Sequence, residues 1–517
     1  MVDESPGVRR GEWAWAVAAT VCVVALASLP YIVVYFATPP DLRFVGVLIN
    51  PLDGDSYFAK MQIGARGGWL FHLLYTAQAH PGALLFAFHI LLGHVAAWTG
   101  LPIPVVYHLA RVMAGCAMLL VVYVFIARVT QDLAKRRIAF LLVALSSGLG
   151  WLAAVFGYLE SSDLVIPESN TFYSLHINPH FPLATALMIV VMIFVVRGLR
   201  SAASGLQVAI CAAASLALAI VQPFAVVPLY ITLAVYQLLF WRRDGRIAWQ
   251  SVWTAVIAGA VTLPVTAYTF WVTQADPVLR GWTAQNVTPS PPVWDYVLGY
   301  GVILVLAMPG AIEAARRKSD IDLLLLAWVG VTLLLLYAPF ALQRRFSLGL
   351  HVPLAILAAM GLGRAAGGRK LATGAVLAAT LPTTVLVVIL ALGGGLQHNP
   401  RLFVSADEAA ALDWLREHAP PDAVVLASPE MGLFVPAWSG SRVVYGHPFE
   451  TVDAERTKSR VEIFFAAGTS DADRAAMLSE WNVSFVLAGP RERGLGLASS
   501  PPGTVVFTSP TVTLVQR

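Results

Sequence analysis

The sequence has little charge for its length. Of its 517 residues only 12% are Asp, Glu, Lys or Arg, whereas 58% are hydrophobic and the mean hydropathy is +0.71. A soluble protein carries about 25% charged residues, because its surface has to be solvated. So low a charge content excludes a soluble enzyme and a disordered chain. It is typical of a polytopic membrane protein with a soluble part attached.

Cysteine is also scarce, and the excess of one charge sign is small. The three cysteines (Cys22, Cys116 and Cys211) all lie in apolar runs, so no disulfide framework is predicted and the cysteines indicate no compartment. The net charge of +4 is too weak to indicate a nucleic-acid partner. We therefore expect membrane lipid, rather than nucleic acid, around most of the chain.

The charges that are present divide the chain in two. The last 122 residues, from Leu396 onward, hold 14 acidic and 10 basic residues out of totals of 30 and 34. The preceding part is apolar and has more basic than acidic residues. We therefore predict a transmembrane domain over residues 1–395 and a domain of ordinary soluble composition over residues 396–517.

Basic clusters recur between the apolar runs, and positive charge near span ends stays on the cytoplasmic side. An even number of spans must then separate consecutive clusters, which gives 11 spans in a mainly α-helical protein, the first of them uncleaved. The N-terminus is predicted inside and the C-terminal domain outside an inner (plasma) membrane. The basic clusters lie at 9–10, 135–137, 197–200, 242–246, 316–318 and 364–370. The predicted spans are 13–36, 105–127, 138–157, 183–199, 206–221, 224–240, 252–272, 295–312, 322–337, 351–363 and 371–392.

One apolar stretch, 82–98, is not counted as a span. It is short, His89 and His94 interrupt it, and counting it would place the cluster at 135–137 outside. We predict a helix at the outer membrane surface, or one that enters the membrane only partway. The first outer loop then covers residues 37–104 with its juxtamembrane helices, and the second covers residues 159–181. Shorter outer loops are predicted near 273–294 and 338–350.

The C-terminal region reads as a small extracytoplasmic α/β domain. Ser405 and Glu408 form a capping box that opens a helix over 406–418, and a second capped helix is predicted from Ser470. Helices alternating with short apolar runs favour an α/β fold. A binding or lid role is predicted for it, because it shows no phosphate loop or nucleophile motif. The strand-like runs are 424–427, 442–445, 483–487, 505–508 and 512–515.

The stretch Asn50-Pro-Leu-Asp53-Gly-Asp55-Ser-Tyr57-Phe-Ala-Lys60 begins the first outer loop and is the most informative in the sequence. Two carboxylates near hydrocarbon are costly unless they are used. We expect them in a turn that precedes a helix from Ser56, where side chains at i and i+2 can converge on one metal ion or one substrate proton. The alternative is a solvated turn that merely caps that helix.

The order of features in this loop resembles the first periplasmic loop of the GT-C superfamily of integral membrane glycosyltransferases. It looks most like the protein O-mannosyltransferase and aminoarabinose transferase branch, and the chain resembles a bacterial member. Asp53 matches the first acid of that family's acidic pair, Tyr57 the tyrosine that follows it, His80 with Pro81 its proline element, and Arg111 the arginine at the next span. The glutamate of the pair is replaced by Gly54.

The resemblance implies a GT-C-like fold, a polyprenyl-phosphate-linked sugar as donor, and a catalytic carboxylate. Asp53 would be the base, with Asp55 in reserve, and Tyr57 and His80 would contact substrate. A carboxylate must accept the proton of the attacking hydroxyl, and cationic groups or a metal must stabilise the leaving phosphate. No cofactor is certain; a divalent cation, if bound, would use Asp53, Asp55 and Glu168.

The site that binds the donor phosphate is predicted at Gln343-Arg344-Arg345, in a short outer loop. Two adjacent arginines on the outer side run against the positive-inside bias, and a guanidinium group suits phosphate. Arg111 is a second candidate. The alternative is that Arg344 and Arg345 bind lipid headgroups or the C-terminal domain, and that Arg111 has a structural pairing role.

The second outer loop is dense in polar and aromatic side chains. Tyr173, His176, Asn178 and His180 could line a sugar or acceptor subsite, together with Glu168. A metal site of His176, His180 and Glu168 is less favoured, because Asn178-Pro179 interrupts the helix that it would need. A hydrogen-bonded structural loop is the remaining alternative.

Together these features predict a membrane enzyme that moves a sugar from a polyprenyl-phosphate carrier to a lipid, glycan or protein acceptor at the extracytoplasmic face. One alternative is a transporter or lipid-handling protein, but transporters usually place ionisable groups within spans and often have repeated halves. The other is a non-catalytic assembly or receptor protein that keeps the fold. The loss of an acid at Gly54 leaves that alternative open.

Overall fold

The structure, a computed structural model, describes residues 7–200, 204–365, 369–497 and 501–517. The side chain of Arg364, which belongs to one of the basic clusters, lies outside the described residues. The described chain is mainly helical and has two small sheets.

The helices are numbered in chain order. The first twelve are α1 (Arg10–Ala37), α2 (Pro51–Ala65), α3 (Ala87–Thr99), α4 (Ile103–Val129), α5 (Leu133–Leu145), α6 (Gly150–Val155), α7 (Ser162–Val165), α8 (Thr171–Ile177), α9 (His180–Arg197), α10 (Gly205–Val221), α11 (Val226–Asp244) and α12 (Trp249–Ala260). The others are α13 (Leu263–Ala275), α14 (Pro277–Gln285), α15 (Val293–Arg317), α16 (Asp320–Leu335), α17 (His351–Ala365), α18 (Lys370–Ala379), α19 (Pro382–Leu396), α20 (Ala406–His418), α21 (Met431–Ser439), α22 (Ala454–Phe465), α23 (Asp471–Glu480) and α24 (Pro490–Gly494). Short 3-10 turns lie at Pro167–Ser169, Pro223–Ala225 and Gln343–Ser347.

The strands form one pair and one five-stranded sheet. The strands are β1 (Leu42–Phe44), β2 (Phe403–Ser405), β3 (Val424–Leu426), β4 (Arg442–Val443), β5 (Phe485–Ala488), β6 (Thr504–Thr508) and β7 (Thr513–Gln516). β1 pairs with β2 in antiparallel register. The larger sheet has the order β4-β3-β5-β7-β6, in which β3 is parallel to β4 and β5 whereas β7 is antiparallel to both its neighbours.

The chain divides into two compact units. Unit 1 comprises Met1–Pro30, His108–Ala267 and Thr288–Ala391, and unit 2 comprises Tyr31–Tyr107, Tyr268–Val287 and Leu392–Arg517. Unit 1 is built of apolar helices around one continuous core that includes Trp328 and Phe125. A grouping of the first outer loop with the C-terminal region was not predicted from the sequence.

Unit 2 is held together by pairing and packing between segments far apart in sequence. Leu42 lies opposite Ser405 in the β1–β2 pair, so the chain just after α1 pairs with the chain just before α20. Ala59 of α2 and Tyr75 of the first outer loop share a buried cluster with residues of α20, α21 and the five-stranded sheet. Full burial of a large aliphatic side chain of this cluster, such as Leu412, contributes about 1.5–3 kcal/mol.

All 11 predicted spans fall on helices of the structure. Within the described ranges, eight segments are long and apolar enough to cross a membrane, whereas the helices at the predicted spans 206–221, 322–337 and 351–363 are shorter than 18 residues. The structure thus confirms a polytopic helical protein but leaves the number of spans as a prediction. The eight segments are Arg10–Ala37, Ile103–Val129, Leu133–Val155, His180–Arg197, Pro223–Asp244, Trp249–Ala275, Val293–Arg317 and Lys370–Leu396.

The predicted secondary structure of the C-terminal region is confirmed. Ser405 caps α20, its side chain accepts a hydrogen bond from the Glu408 N–H, and Glu408 bonds back to the Ser405 N–H. Ser470 caps α23. The five strand-like runs coincide with β3 to β7.

Candidate active site

Helix α2 carries the two aspartates of the first outer loop. It begins at Pro51, directly after Asn50, whose backbone is left-handed (φ 53°), and not at Ser56 as predicted. Pro at the first helical position is favourable because its missing N–H would be unpaired there. Asp53 and Asp55 are therefore helical residues two positions apart, so their side chains point about 200° apart around the axis. The prediction that they converge in a turn is wrong for this reason.

Asp53 lies in the first turn of α2 and is partly accessible. Its Oδ2 accepts a hydrogen bond of 2.5 Å from the Asn50 side-chain amide. The amide orients the carboxylate, and the helix N-terminus favours its negative charge. Asp53 thus has the exposure and the fixed orientation that a proton acceptor needs.

Asp55 is in a different environment. It is 0% exposed, and neither carboxylate oxygen accepts a hydrogen bond from any residue that the structure describes. Burial raises the pKa of this carboxyl well above its usual value. A fully buried carboxyl is out of reach of an acceptor hydroxyl, and the structure therefore favours Asp53 over Asp55 as the general base.

Gly54 lies between the two aspartates and has no room for a side chain. A Cβ there would come within 2.5 Å of the Val47 side chain. The glutamate of the family's acidic pair therefore cannot be accommodated at this position without movement of Val47. This contact gives a physical reason for the glycine.

A buried ion pair joins α2 to the loop 446–453, which follows β4 within unit 2. Lys60 Nζ lies 2.6 Å from Glu450 Oε1, and the same oxygen accepts a hydrogen bond of 2.5 Å from Ser56 Oγ. Lys60 is 2% and Glu450 8% exposed. Burial raises the pKa of Glu450, but the Lys60 ammonium group and its hydrogen bonds outweigh that effect, and the net pKa is lowered. Glu450 is therefore ionised at neutral pH.

His447 belongs to the same loop. Its Nδ1 accepts hydrogen bonds of 3.1 Å from the backbone N–H groups of Phe449 and Glu450, which leaves the proton of the neutral ring on Nε2. Burial lowers its pKa, while the charges of Glu450 and Asp53 act in the opposite direction. The imidazole is thus neutral at pH 7 and close to both carboxylates.

Tyr57 and His80 have structural partners. The ring of Tyr57 stacks on His89, with the centroids 4.6 Å apart. His80 Nε2 accepts a hydrogen bond of 2.8 Å from the Leu73 N–H, and its Nδ1 lies 2.9 Å from the Pro81 carbonyl oxygen. Because backbone groups lie at both ring nitrogens, His80 holds the loop 73–81. Its contact with substrate stays a prediction.

In unit 1, Arg344 and Arg345 lie in the turn Gln343–Ser347. Both are half-buried, and within the described part of the chain neither guanidinium group has a carboxylate partner. Each has a buried Nε that donates no hydrogen bond, and Arg345 lies over the Phe224 ring at 5.4 Å. Gln343 holds the turn through the Ala338 carbonyl (2.6 Å). Two adjacent cations without counterions suit an anionic ligand.

Arg111, unlike Arg344 and Arg345, is held by hydrogen bonds to neighbouring groups. It is 2% exposed and donates to the Leu175 carbonyl (2.8 Å), to Ser28 Oγ (3.0 Å) and to His108 Nδ1 (3.1 Å). A guanidinium group that is bonded on three sides within unit 1 holds helices together. These three hydrogen bonds favour the structural pairing role of Arg111, and its phosphate-binding role stays a prediction.

The polar side chains of the second outer loop are buried within unit 1. Tyr173, His176, Asn178 and His180 are at most 5% exposed, and His176 Nδ1 donates to the Ala27 carbonyl (2.8 Å). The prediction that Asn178-Pro179 interrupts the helix is confirmed, since α8 ends at Ile177 and α9 begins at His180.

Glu168 lies in the turn Pro167–Ser169, which contacts the turn of Arg344 and Arg345. Of the second-loop residues, it is therefore the one that the structure brings to the predicted phosphate site. A sugar or acceptor subsite in this loop remains a prediction.

Metal ligands are not grouped in the described part of the chain. No set of three or more His, Cys, Asp or Glu side chains there is arranged to hold an ion. Within unit 2, the buried cation beside Glu450 is already Lys60. Asp53 and Asp55 point about 200° apart around α2, so these two carboxylates do not form a preformed metal site.

Sequence reasoning missed Lys60, His447 and Glu450. Lys60 lies within the stretch that was singled out, and a lysine in an apolar helix near a membrane could have indicated a buried counterion. Nothing in the sequence pairs it with a residue 390 positions away. The contact depends on the tertiary fold of unit 2.

No family model matches the sequence, and no curated protein has a similar sequence. Solved structures do share its fold. The chain is similar to an oligosaccharyltransferase from Archaeoglobus fulgidus (14% identity, TM-score 0.51), over 90% of this chain and 68% of that one. It is also similar to ArnT from Cupriavidus metallidurans bound to undecaprenyl phosphate (15% identity, TM-score 0.53), over 98% of both chains.

A third similar structure is the arabinofuranosyltransferase AftD from Mycobacteria (16% identity, TM-score 0.57), which this chain matches over 99% of its own length but only 40% of AftD. All three are GT-C glycosyltransferases. The predicted GT-C resemblance is thus confirmed at the level of the fold. Sequence identities of 14–16% do not show that this chain has the activity of any of the three proteins.

Proposed function

We propose that the protein is an integral membrane glycosyltransferase that takes a sugar from a polyprenyl-phosphate carrier. Arg344 and Arg345 bind the donor phosphate, and Asp53 accepts the proton of the acceptor hydroxyl. The acceptor is a lipid, a glycan or a protein. The reaction takes place at the extracytoplasmic face, where the C-terminal domain also lies.

The bonds and protons of the sugar transfer balance with these residues alone. The acceptor oxygen forms a bond to the anomeric carbon while the bond from that carbon to the phosphate oxygen breaks. The products are the glycosylated acceptor and the free polyprenyl phosphate. The acceptor proton passes to Asp53 and then to solvent. The guanidinium groups stabilise the negative charge that grows on the leaving phosphate.

The observation that carries the proposal is the pair of uncompensated guanidinium groups, Arg344 and Arg345, in a chain with the GT-C fold. A half-buried arginine without an acidic partner is costly unless a ligand supplies the anion. The fold likeness to ArnT, which was solved with undecaprenyl phosphate, supports a lipid-linked phosphate as that anion.

The experiment is a transfer assay with the purified full-length protein in lipid nanodiscs. A panel of undecaprenyl-phosphate sugars is offered with lipid, glycan and peptide acceptors, with and without added Mg²⁺ or Mn²⁺. Release of undecaprenyl phosphate is followed by mass spectrometry. We expect release that depends on an acceptor and on Arg344 and Arg345. A wild-type protein that releases none from any donor would contradict the proposal.

A further inference from the structure

Building on the proposed function, we infer that Glu450 is a positioning residue for the transfer reaction. Its carboxylate neutralises the buried ammonium group of Lys60, so that Asp53, on the same helix, keeps the basicity that proton acceptance needs. The C-terminal domain would then supply a charged group to the site, through the loop 446–453.

Lys60 needs a counterion because it is almost fully desolvated. Its ammonium group lies 2.6 Å from Glu450 and 4.5 Å from the centre of the Phe86 ring. A buried charge left without its partner is strongly unfavourable. Among the carboxylates that the structure describes, Glu450 is the one paired with Lys60.

Asp53 and Lys60 lie on the same face of α2, because seven residues make almost two full turns. Their backbone positions are about 10 Å apart along the helix axis. At that distance an unbalanced charge still acts through a poorly solvated medium. His447, in the loop 446–453, is affected by the charges of Asp53, Lys60 and Glu450 together.

Neither position 54 nor Asp55 of α2 can supply the negative charge that balances Lys60. A side chain at position 54 would collide with Val47. Asp55 is fully buried and accepts no hydrogen bond from the described residues. The compensating charge therefore comes from a loop 390 residues further along the chain.

The test uses the acidic limb of the pH profile of kcat/KM, measured on the full chain with the sugar donor that the wild type accepts. Glu450→Gln keeps the shape of the side chain but leaves the Lys60 charge unbalanced, which favours the anionic form of the proton acceptor. Lys60→Met leaves the Glu450 charge unbalanced, which disfavours that form. We expect the limb to move to lower pH in the first variant and to higher pH in the second. kcat/KM at the plateau should fall at least tenfold in Glu450→Gln.

Two further variants separate this role from a purely structural one. In Lys60→Met/Glu450→Met both charges are absent, and the limb should return to the wild-type position. Glu455→Gln removes an exposed carboxylate from α22 and should change nothing. The unfolding temperature of each variant shows that it is folded, and Lys60→Met with the double variant suffices if Glu450→Gln does not fold.

The inference is overturned if the limb stays at the wild-type pH in both single variants, or moves in the same direction in both. That result would leave the ion pair as a structural link, with the proposed function intact. A wild-type protein that transfers no sugar would instead remove the proposed function, and this inference with it.

Discussion

Lys60 and Glu450 form a buried ion pair across 390 residues of sequence, at 2.6 Å. The pair ties the first outer loop to the C-terminal domain within unit 2. Removal of one partner leaves a buried charge uncompensated, and it costs about 3–5 kcal/mol. Replacement of both partners by apolar side chains of similar size is often neutral.

We therefore expect Glu450→Ala to lower the unfolding temperature by several degrees, and Lys60→Met/Glu450→Met to restore most of it. Thermal unfolding followed by intrinsic fluorescence measures both. The exposed pair of Lys458 and Glu462 is a control, because its removal should have almost no effect. If the double variant unfolds as early as the single one, shape rather than charge stabilises the contact.

The charge of the Glu450 carboxylate makes the stability of the folded protein depend on pH. The Glu450 pKa in the folded protein is below its usual value of 4.5. A depressed pKa contributes stability that is present above about pH 4.5 and is lost as the pH falls through the folded-state pKa. We expect the difference in unfolding temperature between wild type and Glu450→Gln to be large at pH 7 and to shrink below pH 4.5. A difference that is constant with pH would show that the charge of Glu450 does not contribute.

Asp53 and Asp55 should respond differently to the same substitution. Asp53→Asn removes the proton acceptor and should lower kcat at least a hundredfold, whereas Asp55→Asn changes a fully buried side chain that an acceptor hydroxyl cannot reach and should retain most activity. Transfer assays on both variants measure the ratio. Loss of activity in Asp55→Asn together with full activity in Asp53→Asn would reverse the assignment.

Asp55→Asn also has a stability signature. A raised pKa means that the folded state is fully stable at low pH and loses stability as the pH rises from the usual value of 3.8 toward the folded-state pKa. The variant lacks this loss, so its unfolding temperature at pH 7 should equal or exceed that of wild type by roughly 1–3 °C. The gap should close near pH 4. An unfolding temperature well below wild type at pH 7 would mean that the carboxylate has a stabilising partner.

Gly54 should tolerate no side chain. The Cβ of Gly54→Ala would come 2.5 Å from Val47, which predicts a loss of about 1–3 kcal/mol in the free energy of unfolding. Val47→Ala should relieve that loss in the double variant. Gly374→Ala, in a helix where nothing lies within 4 Å, is the matched control. Equal stability of Gly54→Ala and wild type would show that Val47 moves away freely.

Local sequence signals predicted much of the fold. The capping box of Ser405 and Glu408 indicated where α20 begins, since both bonds form between residues three apart. The start of α2 was missed, because a left-handed Asn50 followed by Pro51 begins the helix earlier than a cap at Ser56 would. The helix α21 was also missed, as its apolar residues and Pro436 resemble neither a strand nor an amphipathic helix.

Contacts between distant segments could not be predicted from the sequence. The pairing of Leu42 with Ser405 and the ion pair of Lys60 with Glu450 join residues whose partners no local pattern specifies. The GT-C motif pointed to Asp53, but it also suggested His80 and Arg111, whose hydrogen-bonding groups are used within the protein. A motif identifies residue types in order, and only the tertiary structure shows which groups are free.

The most direct test of the proposed function is the binding of undecaprenyl phosphate to the purified protein, measured by native mass spectrometry in the presence of excess phosphatidylglycerol. We expect wild type and the exposed-arginine control Arg280→Gln to retain the ligand, and Arg344→Gln/Arg345→Gln to bind it at least tenfold more weakly. Equal retention by the double variant, or displacement of the ligand from wild type by phosphatidylglycerol, would contradict a donor-phosphate site at these two arginines.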